Sequence, residues 1–494
     1  MTTTAAARAD RAAPMRPGLA LAVAALLIGA AALITHPAAR HSIWYDEAWS
    51  VLAIRGHDAA SIIETVRADF HTPVYFLALS AWASLTGFSE PALRYSSVLC
   101  AALTAALVYR LAVDLYRSRA AGAMAALALC TMPLHIRFAQ EVRMYAALAA
   151  LVVASMLLFW RFLVHPRRAT ALAYVLVTAL AIYVQYLALF LILIHLLVSV
   201  GWVWVNDYTK RKAGRWAVLL PLFAALLFLP WFPTFAAQLT SAEYVPIHSH
   251  ALPSTPDTIL SAIGEDFFAG QAILYLLLIG VAALGVARAP ARWDIRLVAP
   301  RATGFLAAWG VGWLAQMWAT NLVVPHYQAR NALAALPALA ILVGWGLSRW
   351  PRPAAIVLLA LLMIGNLTGY YAFQAKDLHY RDAVAELARG YHPGDLIFVQ
   401  VNTFLHDLPL QHYLDYLLPP HPEPGWFSTL AGGWSPGSEA FAQAFAEAVD
   451  NRPRFWLLQT LPVDNRWLAT AVPHTEVSNV HVDAFQIALY ESPR

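Results

Sequence analysis

Charge is scarce in this sequence. Only 13% of its 494 residues are Asp, Glu, Lys or Arg, about half of what a water-soluble domain carries. With 60% hydrophobic residues and a mean hydropathy of +0.56, that shortage excludes an ordinary soluble chain. Cysteine is nearly missing: Cys100 and Cys130 both fall in apolar runs, which rules out a disulfide framework. The net charge of +4 is spread over loops, and no basic block offers a surface for nucleic acid. No glycine-rich phosphate cradle occurs, so a nucleotide sugar has no visible site, and no His/Glu spacing of the metal-binding HExxH kind occurs. There is no internal repeat.

What the sequence has instead is a series of apolar runs long enough to span a bilayer. The first, at about 17–38, follows Arg8, Arg11 and Arg16. At about 22 residues it exceeds the apolar core of a signal peptide and reads as a retained span. Further candidates are 95–116, 119–134, 145–164, 169–184, 186–205, 216–235, 266–287, 302–324, 328–348 and 353–373, giving about eleven transmembrane helices. The run at 71–87 is too short and reads as juxtamembrane helix. Charge parity supports this. Without a crossing there, Arg110/Arg117/Arg119, Arg161/Arg167/Arg168, Lys210/Arg211/Lys212/Arg215, Arg288/Arg292/Arg296/Arg301 and Arg349/Arg352 share one side with the N-terminus, the side a cytoplasm favours. Parity also demands a hairpin inside 169–205, near Tyr183–Tyr186, although no glycine or proline marks it. Residues 39–94 then form one long outer loop. After about residue 374 the pattern turns mixed, with a helix at 381–389, strands at 396–401, 455–460 and about 482–490, and a helix at 438–449. It reads as a small extracytoplasmic α/β domain, 375–494, after a transmembrane domain, 1–374.

The outer loops hold the chemistry-bearing side chains. Trp44-Tyr45-Asp46-Glu47-Ala48-Trp49 places two carboxylates among interfacial aromatics, where unpaired acids are costly. Asp46 reads equally as the N-cap of a helix over 47–55 and as a working acid. The first loop adds Arg55, His71 and Arg94. The second, 134–145, adds Arg137, Glu141, Arg143 and Tyr145, and a turn at 325–331 adds His326, Tyr327 and Arg330. A carboxylate takes a proton from an acceptor hydroxyl, and arginines neutralise a departing phosphate. Arg137 and Arg143 have the competing reading of simple ion pairs with Glu141, Tyr145 that of an interface belt residue, and Pro73 that of a helix start. His135 and His195 read as structural. Arg330 opens a helix, where the dipole disfavours a cation unless an anion joins it.

Trp-Tyr-Asp-Glu-Ala after the first span, His71-Thr72-Pro73-Val74-Tyr75-Phe76, Ala92-Leu93-Arg94-Tyr95-Ser96-Ser97-Val98 and Arg330-Asn331-Ala332-Leu333-Ala334-Ala335-Leu336-Pro337 together resemble the GT-C membrane glycosyltransferases. The closer likeness is to the family 39 type, the protein O-mannosyltransferase and aminoarabinose transferase superfamily, over about residues 17–350. Two stretches depart from it: His-Thr-Pro stands for the common Pro-Pro, and Gln140-Glu141-Val142-Arg143-Met144-Tyr145 for an Arg-Pro-Asp type loop. The resemblance implies the GT-C fold and a polyprenyl-phosphate sugar donor, handled on the outer face of a bacterial-type inner membrane, with inversion at the anomeric carbon. It implies Asp46 as base with Glu47 beside it and Glu141 as the acid of the second loop. Arg94 becomes a structural or donor-side residue. Arg55, Arg143 or Arg330 would hold the phosphate, and spans near 236–265 the prenyl chain. The acceptor is open between lipid, glycan and protein. No cofactor is expected, with a divalent metal left open. Membrane lipids are the surrounding partner, and nucleic acid is not one. The rival reading is a transporter or flippase for a lipid-linked anion, which calls for ionisable groups and broken helices at the midplane.

Overall fold

The structure, a computed structural model, describes residues 41–205, 214–240, 271–289, 292–322, 328–373, 379–401, 406–418, 420–421, 425–428, 439–449, 452–460, 468, 472 and 474–492. The expected first span, the loop beyond Thr240, and His326 and Tyr327 lie outside the described residues.

Three short helices come first: α1 (Tyr45–Leu52), α2 (Ala59–Ala68) and α3 (Pro73–Thr86). The N-cap of α1 is Trp44, and Asp46 is its second residue, so the expected capping role for Asp46, on a helix from 47 to 55, is corrected. Asp46 and Glu47 both sit in the first turn, where the helix dipole favours acids. Asp58 opens α2 by accepting from the Ser61 N–H at 2.8 Å. Pro73 occupies the first position of α3, where its missing N–H costs nothing. Gly87 ends α3 at a φ of 83°, which a side chain resists. With 14 residues, α3 is about 21 Å long, too short to cross about 30 Å of hydrocarbon.

Long helices follow. They are α4 (Glu90–Tyr116), α5 (Arg119–Thr131) with α6 (Pro133–Ala139), α7 (Tyr145–Val164), α8 (Arg168–Val184) and α9 (Phe190–Val205). The chain turns by 65° between α5 and α6, because Pro133 has no N–H to continue the helix. That bend swings the second loop back over α1. Between α8 and α9 the break lies at the expected place. Gln185 is extended, its side chain accepts from the Tyr186 N–H at 3.0 Å, and a 3-10 turn (Tyr186–Leu189) starts α9.

Next come α10 (Leu219–Leu226), α11 (Phe232–Thr240), α12 (Ala272–Ala283), strands β1 (Leu284–Ala289) and β2 (Arg292–Leu297), and α13 (Pro300–Asn321). The short α14 (Ala329–Ala332) runs through a 3-10 turn into α15 (Leu336–Ser348), followed by α16 (Arg352–Phe373). The run expected to span at 266–287 is helical over Ala272–Ala283 and then turns into the antiparallel β1–β2 hairpin. Gly285 is a poor helix former and Val286 a good strand former. Among the described residues six helices are long and apolar enough to cross a membrane, seven if the bent α5–α6 pair is one span. In the core, α5 and α15 pack backbone to backbone. A Cβ on Gly344 would collide with the main chain of Ala121 and Ala125, the small-residue contact typical of membrane helices.

The last described segments build a five-stranded sheet in the order β4 (Gly425–Ser428), β3 (Leu396–Val401), β5 (Arg454–Thr460), β7 (Phe485–Glu491), β6 (Thr475–Val482). The β3–β4 and β3–β5 pairs are parallel and the others antiparallel. Helices α17 (Tyr380–Gly390), α18 (Asp407–Leu417) and α19 (Glu439–Val449) accompany it. This part docks on the first loop. The Tyr413 hydroxyl of α18 accepts from the Ile43 N–H at 2.7 Å and donates to the Glu90 carboxylate. Arg381 of α17 pairs with Glu90 at 3.0 Å.

Candidate active site

The two adjacent acids of α1 have different surroundings, since neighbours on a helix point about 100° apart. Glu47 is fully buried. Its carboxylate takes a two-pronged pair from Arg94, at 2.8 Å from Nε and 2.5 Å from Nη2, and a third bond from the Val142 N–H at 2.8 Å. Arg94, on α4, spends its remaining donors on the carbonyls of His41 at 2.6 Å and Ser42 at 3.1 Å. Glu47 therefore joins α1, α4 and the second loop, and its acceptors are occupied.

Asp46 faces the other way and is partly open, with 18% of its side chain exposed. Its carboxylate pairs with Arg330. Its main-chain carbonyl accepts from Arg143 Nη1 at 3.1 Å and from Ser50 Oγ at 3.0 Å, and Arg143 also donates to Ser50 Oγ at 3.1 Å. Burial alone would push the Asp46 carboxyl up, but the Arg143 and Arg330 guanidiniums outweigh it and hold it below the usual carboxylate range. Asp46 is thus ionised at neutral pH.

Arg330 stands on α14, a turn fixed by indole donors from α13: Trp313 to the Asn331 carbonyl at 2.9 Å and Trp309 to that of Ala334 at 3.0 Å. Its guanidinium lies over the Tyr145 ring, 5.6 Å from the centroid, a cation–π contact that leaves N–H groups for an anion. Arg143 is buried, with Nη1 and Nη2 bonded to protein groups and Nε without a hydrogen-bond partner. Beyond Asp46 and Ser50 it reaches His71 Nε2 at 3.0 Å.

His71 stacks on Trp49 of α1 with centroids 4.5 Å apart, and its Nδ1 lies 3.3 Å from Asp69 Oδ2. Arg143 can only donate, so Nε2 is the acceptor and the ring proton sits on Nδ1, facing Asp69. Burial lowers the imidazole pKa and keeps it neutral.

Glu141 is buried on the second loop. Arg137 Nε is 3.6 Å from one oxygen, and the other has no hydrogen-bond partner. Burial pushes this carboxyl up to about 7, with the negative charges of Glu47 and Asp46 adding to the shift against Arg137 and Arg330. It is the group here whose protonation changes near neutrality.

The structure therefore brings together Asp46, Glu47, His71, Arg94, Glu141, Arg143, Tyr145 and Arg330, with Arg137 at the rim. It places Arg55 elsewhere. That guanidinium meets His412 Nδ1 at 3.1 Å and lies over the rings of Phe88 and Tyr416, at 5.4 and 5.8 Å. Sequence reasoning missed Ser50, Asp69 and Gln238. Ser50 was legible as the i+4 neighbour of Asp46 on a helix, and Asp69 by its closeness to His71. Among the described residues no group of three or more His, Cys, Asp or Glu side chains is placed to hold a metal ion.

Residues 70–233 match the profile of the family described as dolichyl-phosphate-mannose-protein mannosyltransferase. The fold is similar to ArnT from Cupriavidus metallidurans bound to undecaprenyl phosphate, at 13% identity and a TM-score of 0.61, over 94% of this chain and 97% of that one. The apo state of the same protein matches with a TM-score of 0.59 at 13% identity, over 96% of this chain and 100% of that one. The Archaeoglobus fulgidus oligosaccharyltransferase in complex with Zn and sulfate matches at 12% identity, over 88% of this chain and 68% of that one, with a TM-score of 0.52. No curated protein sequence matches significantly. The chain shares the fold of these solved structures, in keeping with the resemblance read from the sequence.

Proposed function

We propose that the protein is an integral-membrane glycosyltransferase that moves a sugar from a polyprenyl-phosphate donor to an acceptor on the outer face of a bacterial-type inner membrane. The observation that carries this is the Asp46–Arg330 pair. An ionised acid and a partly exposed arginine meet where a helix bundle meets the outer loops, on a fold similar to that of ArnT, which is described bound to undecaprenyl phosphate.

Asp46 takes the proton of the acceptor hydroxyl or amine as that group attacks the anomeric carbon. The bond from the anomeric carbon to the phosphate oxygen breaks, and the polyprenyl phosphate leaves with the electron pair. Arg330 meets the charge that grows on it, the kind of stabilisation that usually dominates such sites. Asp46 has to release Arg330 before it can act as a base, and the donor phosphate is the anion that takes its place. Glu47 holds α1 in position through Arg94, and Arg143 acts as a strut on the Asp46 carbonyl. Arg55 is assigned to the docking of α18, away from the donor. Residues 375–494 act as an outer domain.

The transporter reading is the weaker one. It calls for ionisable groups on broken spanning helices at the midplane, whereas Asp46 sits on the short α1 and Arg330 at the start of α14.

The test is turnover of a polyprenyl-phosphate sugar by purified protein in detergent. Arg330→Ala is expected to weaken polyprenyl-phosphate binding by roughly 10- to 100-fold, the worth of one charged hydrogen bond, with little change in melting. Unchanged affinity would remove Arg330 from the donor site. For orientation, reporter fusions after residues 90 and 240 and at the C-terminus should read outside, and fusions near 118, 167 and 212 inside. An inside signal at 90 would mean that 71–87 crosses.

A further inference from the structure

Gln238 lies on α11, 169 residues along the chain from Asp69. It is buried, and its amide closes the end of α2 from outside. Nε2 reaches the carbonyls of Val66 at 3.0 Å, Arg67 at 3.2 Å and His71 at 3.4 Å, and also that of Asp69. Carbonyls at a helix C-terminus have no partner within the helix. Oε1 accepts from the Tyr186 hydroxyl at 2.5 Å, and that hydroxyl in turn accepts from Trp231 Nε1 at 2.8 Å. The indole can only donate; the single Tyr186 hydroxyl proton is shared between Gln238 Oε1 and the His71 carbonyl, 3.1 Å away, and the carbonyls of Val66, Arg67, Asp69 and His71 turn the amide nitrogen toward themselves.

The clamped turn is the one that aims His71. Its backbone is bonded from the His71 N–H to the Asp69 carbonyl at 2.9 Å, and the Asp69 carboxylate accepts from the Phe70 N–H at 2.6 Å. Phe70 packs on Tyr186 at 5.2 Å. From this turn the contacts run His71 to Arg143 to the Asp46 carbonyl, each within 3.1 Å.

We propose that Gln238 is a positioning residue for the Asp46 site. It fixes the 66–71 turn, and so the His71 ring, the Arg143 guanidinium and the end of α1 that carries the acid. This rests on the glycosyltransferase reading above. Gln238 touches no substrate; it acts through His71, with Asp69 setting the tautomer.

Gln238→Leu keeps an apolar body of similar size and removes the donors. It should lower kcat for sugar transfer by roughly 10- to 100-fold, as small misplacements do, and leave the donor KM nearly unchanged. His71→Ala should show a similar loss, and the double variant no more than either alone, since residues in one hydrogen-bonded chain are not additive. A second readout needs no substrate. In 15N-histidine-labelled protein the His71 ring signals, identified by their loss in His71→Ala, should report the Nδ1–H tautomer and shift in Gln238→Leu. Unchanged His71 signals in Gln238→Leu overturn the proposal. So do full kcat at a lowered Tm, or losses that multiply in the double variant. If the wild-type protein transfers no sugar, the glycosyltransferase reading fails, and the ring signals still decide whether Gln238 orients His71.

Discussion

Asp46→Asn should cut sugar transfer by roughly 100-fold or more at unchanged expression, the usual worth of a general base. The substitution is nearly isosteric. Asp46 is not the cap of α1, so no capping bond is lost, and the main-chain carbonyl that Arg143 and Ser50 hold remains. What disappears is the charge that accepts the proton. Arg330 loses its competing partner, so polyprenyl-phosphate binding should persist. The measurement is transfer and donor binding by the purified variant, with its melting curve. A well-folded Asp46→Asn enzyme with near-normal transfer would defeat the mechanism. Glu141, with a buried unpartnered oxygen and a carboxyl that titrates near neutrality, would be the next candidate.

For Glu47 the large effect is on stability. Glu47→Ala strands the Arg94 guanidinium in a site that is 3% exposed and takes the acceptor from the Val142 N–H. Removing one partner of a buried pair costs about 3–5 kcal/mol. The variant should melt well below wild type or fail to accumulate. Glu47→Gln keeps an acceptor for Val142 and should fall between them. A Glu47→Ala protein that melts normally yet has lost transfer would instead make Glu47 a chemical participant.

How far the sequence carried can be seen at these two residues. Their place after an apolar run, amid interfacial aromatics, was legible, and so was the GT-C resemblance. Their division of labour was not. It depends on tertiary partners far along the chain: Arg94 and the Val142 N–H take Glu47, and Arg330 takes Asp46. Arg55 looked equivalent to Arg143 because both are cations in outer loops; only packing against His412 and Tyr416 separates them. The break at Gln185 carried no glycine or proline and was found by charge parity. The start of β1 was hidden in an apolar run that reads as helix, and β2 lies just beyond that run among Arg292, Asp294 and Arg296. Gln238 left no local trace, because the carbonyls it holds lie 167 to 172 residues earlier in the chain.

The bond between Ile43 and Tyr413 joins residues 370 positions apart. A ribosome makes Asp46 early, and the hydroxyl that braces the strand leading into α1 emerges long afterwards. Until α18 has been synthesised, the Ile43 amide and the Glu90 carboxylate lack this partner, and the helix bearing Asp46 has one wall missing. A chain stalled at any point before then lacks the hydroxyl that joins Ile43 to Glu90. The order of synthesis thus makes the bracing of α1 one of the later contacts the chain can form.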